Sequence, residues 1–397
     1  MNKQDAFRQE VRTWLEANCP DSQRQPIIKE EQIWGGRRRK FASPDAKLWF
    51  ERMRDKGWTA PEWPTAYGGG GLSATEAKVL EQEMLALGCR PPLYEIGLWM
   101  FGPALLEFGS EQQKQEHIPK IVRGEIRWCQ GYSEPGAGSD LASLKTRAED
   151  RGDHFLVNGS KMWTTRADQA DWIFCLVRTD PDAPKQKGIS FLLIDMASEG
   201  VSTTPIELIS GGSEFCQTFF QDVRVPKENL VGEPNSGWEI AKNLLKHERK
   251  LMSMMETMVE KEEETIADLA KRYIGVDSTG KLRDSDLRTR LTRHLMNSQV
   301  NEWTRYRLFE QYSQGVKDSS LALIMKHIST TEIQRKDELM LAILGNRGLS
   351  WHDAEYSSKE QRLVKNWAFN KSQTIAGGTS EIQLNIIAKR ALDLPDR

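Results

Sequence analysis

The stretch "HFLVNGSKMWTTRADQADWIFCLVRT", His154 to Thr179, decides the fold. It holds two runs rich in β-branched and aromatic residues, parted by a polar turn. Within the first run, Asn158-Gly159 reads as a hairpin signal. Runs of the same texture follow: "GISFLLIDM" from Gly188, "VSTTPIEL" from Val201 and "QTFFQDVRVP" from Gln217. Residues 126–235 therefore read as a small all-β domain.

Both flanks read as helical. In residues 1–125, Phe7, Val11, Trp14 and Leu15 form a helical stripe. Ser73 and Glu76 have the spacing of a capping box before "ATEAKVLEQEMLAL". Gly68 to Gly71 read as a turn, because no Gly-Lys-Ser/Thr follows to make a phosphate loop. Residues 236–397 are helical again. Helix, then strands, then helix predicts a mainly α chain with a central β-domain rather than a doubly wound sheet.

The 397 residues carry a net charge of -2, so no global basic field favours nucleic acid or an anionic membrane. The run Arg37-Arg38-Arg39-Lys40 is the local exception and reads as a solvated loop, or else a contact for an acidic ligand or partner. Five scattered cysteines, never in CxxC, argue for a reducing compartment. The six histidines form no HExxH or other close ligand pair, so no metal is expected. The N-terminus reads as a charged amphipathic helix, not a signal peptide, and no apolar run reaches about 18 residues. A cytoplasmic location is the expectation.

Two elements carry candidate chemistry. "QGYSEPGAGSD", Gln130 to Asp140, gathers glycines, hydroxyls and bare amides at the entry to the β-domain. Gly136 and Gly138 permit close backbone approach, and Ser133 and Ser139 offer donors, for a phosphate or a ring edge. An ordinary turn reads equally well. Trp163, Thr164 and Thr165 end a strand; they suit the face and edge of a flat heteroaromatic ring, or simply the core.

With these elements stand "KGWTAPEWPTAYGGGGLSATEAKVLEQEM", "GSEQQKQEHIPKIVRGEI", "FFQDVRVPKENLVGEPNSGW" and "GGTSEIQLNIIAKR". In this order they resemble the acyl-CoA dehydrogenase family over nearly the whole chain. The resemblance implies an N-terminal helical domain, a middle β-barrel or sandwich and a C-terminal four-helix bundle. It implies FAD bound by Gln130, Tyr132, Ser133, Gly138 and Ser139, with Ser139 also close to the substrate. Trp163, Thr164 and Thr165 would lie beside the flavin ring. Thr379, Ser380 and Glu381 would close the cofactor site. The implied reaction is α,β-dehydrogenation of an acyl-CoA, with hydride leaving to flavin N5 and an electron-transferring flavoprotein as acceptor. The backbone N–H of Gly377, with Gly378 beside it, would meet the thioester oxygen.

Many family members carry the catalytic glutamate where this chain has Gly377. Glu381 lies four residues on, and Ser380 and Gln383 have capping-box spacing, so Glu381 reads as a cap or cofactor contact rather than a base. Other members place the base on the first long C-terminal helix, matched here by "EIAKNLLKHERKLMSMMETMVE". There Ala241, Leu244, Glu248, Leu251, Met255 and Met258 share one face, with Glu248 its charged member. Apolar neighbours raise a carboxyl pKa toward that of a general base. Glu248 is the candidate base; pairing with Lys246 or Arg249 is the structural alternative. Arg249 matches a family arginine on the CoA-thioester side. Met252, Met254, Met255 and Met258 are core, or the lining of an adaptable acyl pocket.

Two family features are altered. An Arg-x-x-Phe-Gly is replaced by "GVDSTGKLRDSDLRTRLTRHLMNSQ", and a Gln-x-x-Gly-Gly-x-Gly appears as "AILGNRG". These departures resemble a bacterial branch acting on dicarboxylic, alicyclic or steroid-side-chain acyl-CoAs. A homotetramer or an α2β2 heterotetramer follows from that resemblance. Competing expectations are a desulfinase-like flavoprotein and a cofactor-poor structural subunit.

Overall fold

The computed structural model describes residues 3–26, 29–245, 264–316, 319–352 and 354–395. These fall into two compact units. Of the described residues, those up to 206 and from 214 to 245 form the first, and those from 207 to 213 and from 264 onward form the second.

The first unit opens with five helices: α1 (Lys3–Asn18), α2 (Pro44–Asp55), α3 (Ala74–Ala86), α4 (Gly102–Phe108) and α5 (Glu111–Val122). The expected stripe on α1 buries Val11 and Leu15 against Trp49, Met53 and Leu80. The capping box of α3 forms as read: the Glu76 N–H donates to Ser73 Oγ, and the Ser73 N–H donates to the Glu76 carboxylate. Before α4 the chain makes a π-helical turn, Gly97–Phe101.

The β-domain is one eight-stranded sheet. Its strands are β1 (Trp128–Gly131), β2 (Arg147–Asp150), β3 (His154–Thr165), β4 (Trp172–Arg178), β5 (Ile189–Asp195), β6 (Val201–Ile206), β7 (Phe215–Pro226) and β8 (Leu230–Val231). The order is β6-β7-β3-β2-β4-β5-β8, with β1 parallel to β4. Side-chain alternation sends β4 into two cores. Phe174 and Leu176 join the helices, where Phe101 stacks on Phe174 at 5.2 Å. Ile173, Cys175 and Val177 face an inner core with Val157, Val223 and Val225. The helices and sheet thus share apolar packing rather than standing apart. All five cysteines are buried and unbridged.

Two expectations are corrected here. Asn158-Gly159 is not a hairpin turn; it lies inside β3, where pairing with β7 shifts register between Val157 and Gly159. A Cβ on Gly159 would sit 2.7 Å from the Thr146 backbone, so the glycine serves a bulge and close strand approach. Nor are the arginines of the basic run merely solvated. Arg37 donates to Asp195 at 3.0 Å, Arg38 to the Asp168 carbonyl at 3.1 Å, and Arg39 to the Arg123 carbonyl at 2.7 Å. They tie the segment after α1 to the sheet and to the end of α5.

Residues 237–245 open a further helix, α6, whose Ile240, Ala241 and Leu244 pack into the core of the first unit. The second unit contains α7 (Ile266–Ile274), α8 (Ser285–Ser313), α9 (Ser320–Leu344), α10 (Ser358–Asn370) and α11 (Ser380–Arg390). Leu269, Leu287, Leu291, Leu339 and Ile343 build its core. The altered "AILGNRG" ends α9, and its Arg347 pairs with Glu360, the buried cap residue of α10.

Candidate functional site

In the first unit the loop from Gln130 to Asp140 is shaped by a carboxylate that sequence reading passed over. Glu134 Oε1 accepts from Lys161 Nζ and from the Thr146 N–H, both at 2.8 Å, and Oε2 accepts from the Lys145 N–H at 2.6 Å. Glu134 also exchanges backbone hydrogen bonds with Ala137 at 3.0 Å, closing the turn. Burial works against the Glu134 carboxylate, but the Lys161 ammonium and the donated hydrogen bonds outweigh it and hold its pKa below the usual range. Lys161 is wholly buried, with its Nζ also donating to the Tyr132 carbonyl at 3.2 Å. A lysine at an inward position of a strand demands a partner. That was the available signal: Phe155, Val157 and Lys161 share one phase of the alternation in β3.

The second element is joined to this loop directly. The Met162 N–H donates to the Ser133 carbonyl at 2.8 Å. At the next residue β3 breaks step, with a register shift between Lys161 and Thr164. Trp163 takes φ +62, a left-handed conformation that is strained for a bulky side chain, and the residue is 53% exposed. Only Phe215 meets it edge-on among the aromatic rings described, at 6.2 Å. Thus a large apolar face stands in the open beside the glycine loop. At Gly136 and Gly138 an added Cβ would meet no atom within 4 Å, so the loop is open on that side.

The remaining loop and strand residues divide. Ser133 and Thr165 are half-buried, and Gly138 and Ser139 are exposed. Gln130 is half-buried, and its Nε2 is buried without a hydrogen-bond partner. Two side chains are unavailable to a ligand. The Tyr132 ring is core, edge-on to Phe174 and Phe191. Thr164 is fully buried; its hydroxyl donates to the Cys216 carbonyl and pairs with Thr218, each at 2.8 Å. The bulge at Trp163 flips the alternation, sending Trp163 out and Thr164 in.

In the second unit, "GGTSEIQ" is a diglycine turn leading into α11. Gly377 and Gly378 have φ +63 and +91, conformations that suit glycine. The cap of α11 is Thr379, not Ser380: Thr379 Oγ accepts from the Ile382 N–H at 3.3 Å. Gln383 closes no box with Ser380; its Nε2 donates to the Gly377 carbonyl at 3.1 Å. Ser380 is half-buried in the first turn. Glu381 is exposed, and its own N–H and the Thr379 hydroxyl hold its carboxyl below the usual range. That direction is opposite to what a general base near neutrality needs. Lys326 of α9 donates to the Gly378 carbonyl at 2.7 Å.

Glu248 and Arg249 lie outside the described residues, as do Leu251, Met252, Met254, Met255 and Met258. Of the proposed base-bearing face, Ala241 and Leu244 are described, and both are buried. One further carboxyl stands out. Glu95 is fully buried; its Oε1 accepts from the Trp128 N–H at 2.9 Å and the Gly97 N–H at 3.2 Å, while Oε2 has no partner. Burial pushes its pKa up to about 7 despite those donors. Among the described residues no cluster of metal-ligating side chains forms, and no helix is long and apolar enough to cross a membrane.

Three family profiles match in order: "Acyl-CoA dehydrogenase, N-terminal domain" over residues 1–125, "middle domain" over 129–223 and "C-terminal domain" over 235–392. The acyl-CoA dehydrogenase IpdE1 of Mycobacterium tuberculosis is 33% identical over 402 residues, covering 100% of this chain and 99% of that protein. Among solved structures, the Tcur3481-Tcur3483 steroid ACAD superposes with TM-score 0.75 at 28% identity, over 99% of this chain and 98% of that one. The ChsE4-ChsE5 complex from Mycobacterium tuberculosis superposes with TM-score 0.72 at 27% identity, over 100% and 99% of the two chains.

Proposed function

The chain belongs to the acyl-CoA dehydrogenase family of FAD-dependent oxidoreductases, and we infer from its residues how it carries out the α,β-dehydrogenation of an acyl-CoA thioester. The observation that carries the reading is Trp163, exposed on a strained backbone and hydrogen-bonded through Met162 to an open glycine loop.

The residues fit FAD. The room at Gly136 and Gly138 and the unpartnered Gln130 Nε2 support a bound group there, and the Trp163 ring supports a flat one. The loop from Gln130 to Ser139, with Trp163 and Thr165, would hold it. The chemistry supplied by FAD bound there would be acceptance of the hydride that leaves the β-carbon. Glu248 removes the α-proton, a role supported by the spacing of Ala241, Leu244, Leu251, Met255 and Met258 around it in the sequence. As the α-proton leaves, negative charge gathers on the thioester oxygen. The Gly377 N–H, with Gly378 beside it, donates to that oxygen and lowers the barrier. Ser139 and Arg249 orient the substrate.

The steroid ACAD among the similar structures supports a bulky, ring-bearing acyl group. The pairing of two proteins in the ChsE4-ChsE5 complex supports an α2β2 assembly over a homotetramer. An exposed apolar stripe on α8, where Met296, Val300 and Trp303 recur at helical spacing, supports an oligomer of either kind. An electron-transferring flavoprotein as acceptor, a cytoplasmic location and domains at 1–125, 126–235 and 236–397 complete the proposal.

The test is anaerobic mixing of the purified yellow protein with a panel of acyl-CoAs, scored by bleaching of flavin absorbance. Ring-bearing substrates are expected to bleach it fastest. A colourless protein in its native oligomer, or a flavin that no acyl-CoA reduces, defeats the reading.

A further inference from the structure

Helix α9 presents one polar row to the segment that leads into the diglycine turn. Lys326, Thr330, Gln334 and Asp337 recur at spacings of four, four and three, which places them along one face. Gln334 Nε2 donates to the Asn370 and Lys371 carbonyls at 3.1 and 3.2 Å and to Thr374 Oγ1 at 3.0 Å. Asp337 accepts from Asn370 Nδ2 at 2.9 Å. Thr330 donates back to the Lys326 carbonyl at 2.8 Å. Lys326 ends the row at the Gly378 carbonyl.

This last contact is an unusual use of a lysine. Lys326 is half-buried, and burial alone pushes its pKa below the ordinary value. Among the described residues it forms no ion pair; it gives its charge to a neutral carbonyl. A partly desolvated ammonium without a carboxylate is a poor route to stability. Its geometric effect is specific, however. Gln383 holds the Gly377 carbonyl and Lys326 holds the Gly378 carbonyl. Each peptide is planar, so holding the Gly377 carbonyl fixes the Gly378 N–H, and holding the Gly378 carbonyl fixes the Thr379 N–H; both peptides that follow Gly377 are then held. Two glycines in succession are the most mobile place to mount hydrogen-bond donors. With both carbonyls held, the turn keeps one shape.

We infer that Lys326 is a positioning residue of the dehydrogenation: its ammonium holds the Gly378 carbonyl, and with it the peptide that leaves the diglycine turn, so that the turn keeps the one shape in which the Gly377 N–H meets the thioester oxygen. The inference rests on the role proposed above for Gly377. The benefit is preorganisation, which acts where charge develops rather than where substrate binds. The ammonium also brings positive charge to the turn at which that negative charge gathers.

The test uses FAD-loaded enzyme and an acyl-CoA that bleaches the wild-type flavin. Lys326→Met removes the donor and keeps the length; Lys326→Arg keeps a charged donor. For Lys326→Met, flavin reduction at saturating substrate is expected to slow about tenfold or more, since a small misplacement of donors is costly. KM, FAD content and Tm are expected to stay near wild type, and Lys326→Arg to recover most of the rate. Wild-type rates in Lys326→Met overturn the inference. So does a rate loss that tracks loss of FAD or of Tm, or one that Lys326→Arg shares. If Lys326→Met does not fold, Lys326→Gln is read in its place; failure of both to fold assigns the residue to stability and overturns the inference too. A wild-type flavin that no acyl-CoA reduces is a different result, which removes the functional reading and this one with it.

Discussion

Lys161 and Glu134 form a buried ion pair, Nζ to Oε1 at 2.8 Å, that joins the glycine loop to the strand bearing Trp163. The pair lies between residues 27 apart in sequence, and the same carboxylate holds the N–H groups of Lys145 and Thr146. Removing one member of a buried pair strands the other. Lys161→Met is therefore expected to cost about 3–5 kcal/mol in chemical denaturation. It should also release FAD. A variant with unchanged midpoint and full flavin content would refute this role.

The same pair predicts acid sensitivity. The folded pKa of Glu134 is depressed, so its stabilisation is present above the unfolded carboxyl value, about 4.3, and is lost as pH falls through the lower folded value. Flavin release below about pH 4.3 is expected, and it should be absent from Glu134→Gln, whose loop is already loosened. FAD retention is read by fluorescence across pH.

Glu95 has the opposite sign. Its folded pKa is raised to about 7 from 4.5, so the folded state keeps a proton that the unfolded state gives up. Its contribution is full below about pH 4.5 and declines by about 3 kcal/mol as pH rises through 7. Glu95→Gln keeps an oxygen for the Trp128 and Gly97 N–H groups and removes the ionisation. It is expected to gain Tm over wild type at pH 8 and to lose that gain at pH 5. Equal differences at both pH values would exclude this titration.

Trp163 is held at φ +62 and left exposed, a combination that adds no stability to the free protein. Trp163→Gly relieves the strain, though glycine also frees the unfolded chain. Apoprotein stability is expected to change by less than about 1 kcal/mol. FAD affinity should fall about tenfold or more, the scale of one lost aromatic stacking contact. Titration of the apoprotein with FAD decides it.

Glu248 is the proposed base, and Glu381 is the carboxylate to be tested against it. Glu248→Gln is expected to slow flavin reduction by about a hundredfold or more, the contribution of a general base. Glu381→Gln, at the exposed start of α11 with its pKa held low, should retain most of the rate. The reverse order in stopped-flow traces would move the base to Glu381.

Much of this was local and so legible in sequence. The strands announce themselves because a half-buried sheet needs period-two alternation, and "IFCLV", Ile173 to Val177, is apolar throughout because the middle of β4 is buried on both faces. The α3 cap needs only residues three apart, Ser73 and Glu76, so their chemistry fixes it without help. What lay beyond reach depended on chain segments far apart. Asn158-Gly159 has the composition of a turn, but the Thr146 backbone beside Gly159 makes it a bulge within β3. The register shift after Lys161 turns Trp163 outward and Thr164 inward, where sequence treats both as equal candidates. Lys161 finds Glu134 across 27 residues, and Lys326 finds Gly378 across 52. Local periodicity sets which elements form; only packing brings a charge to the carboxylate or carbonyl that justifies its burial.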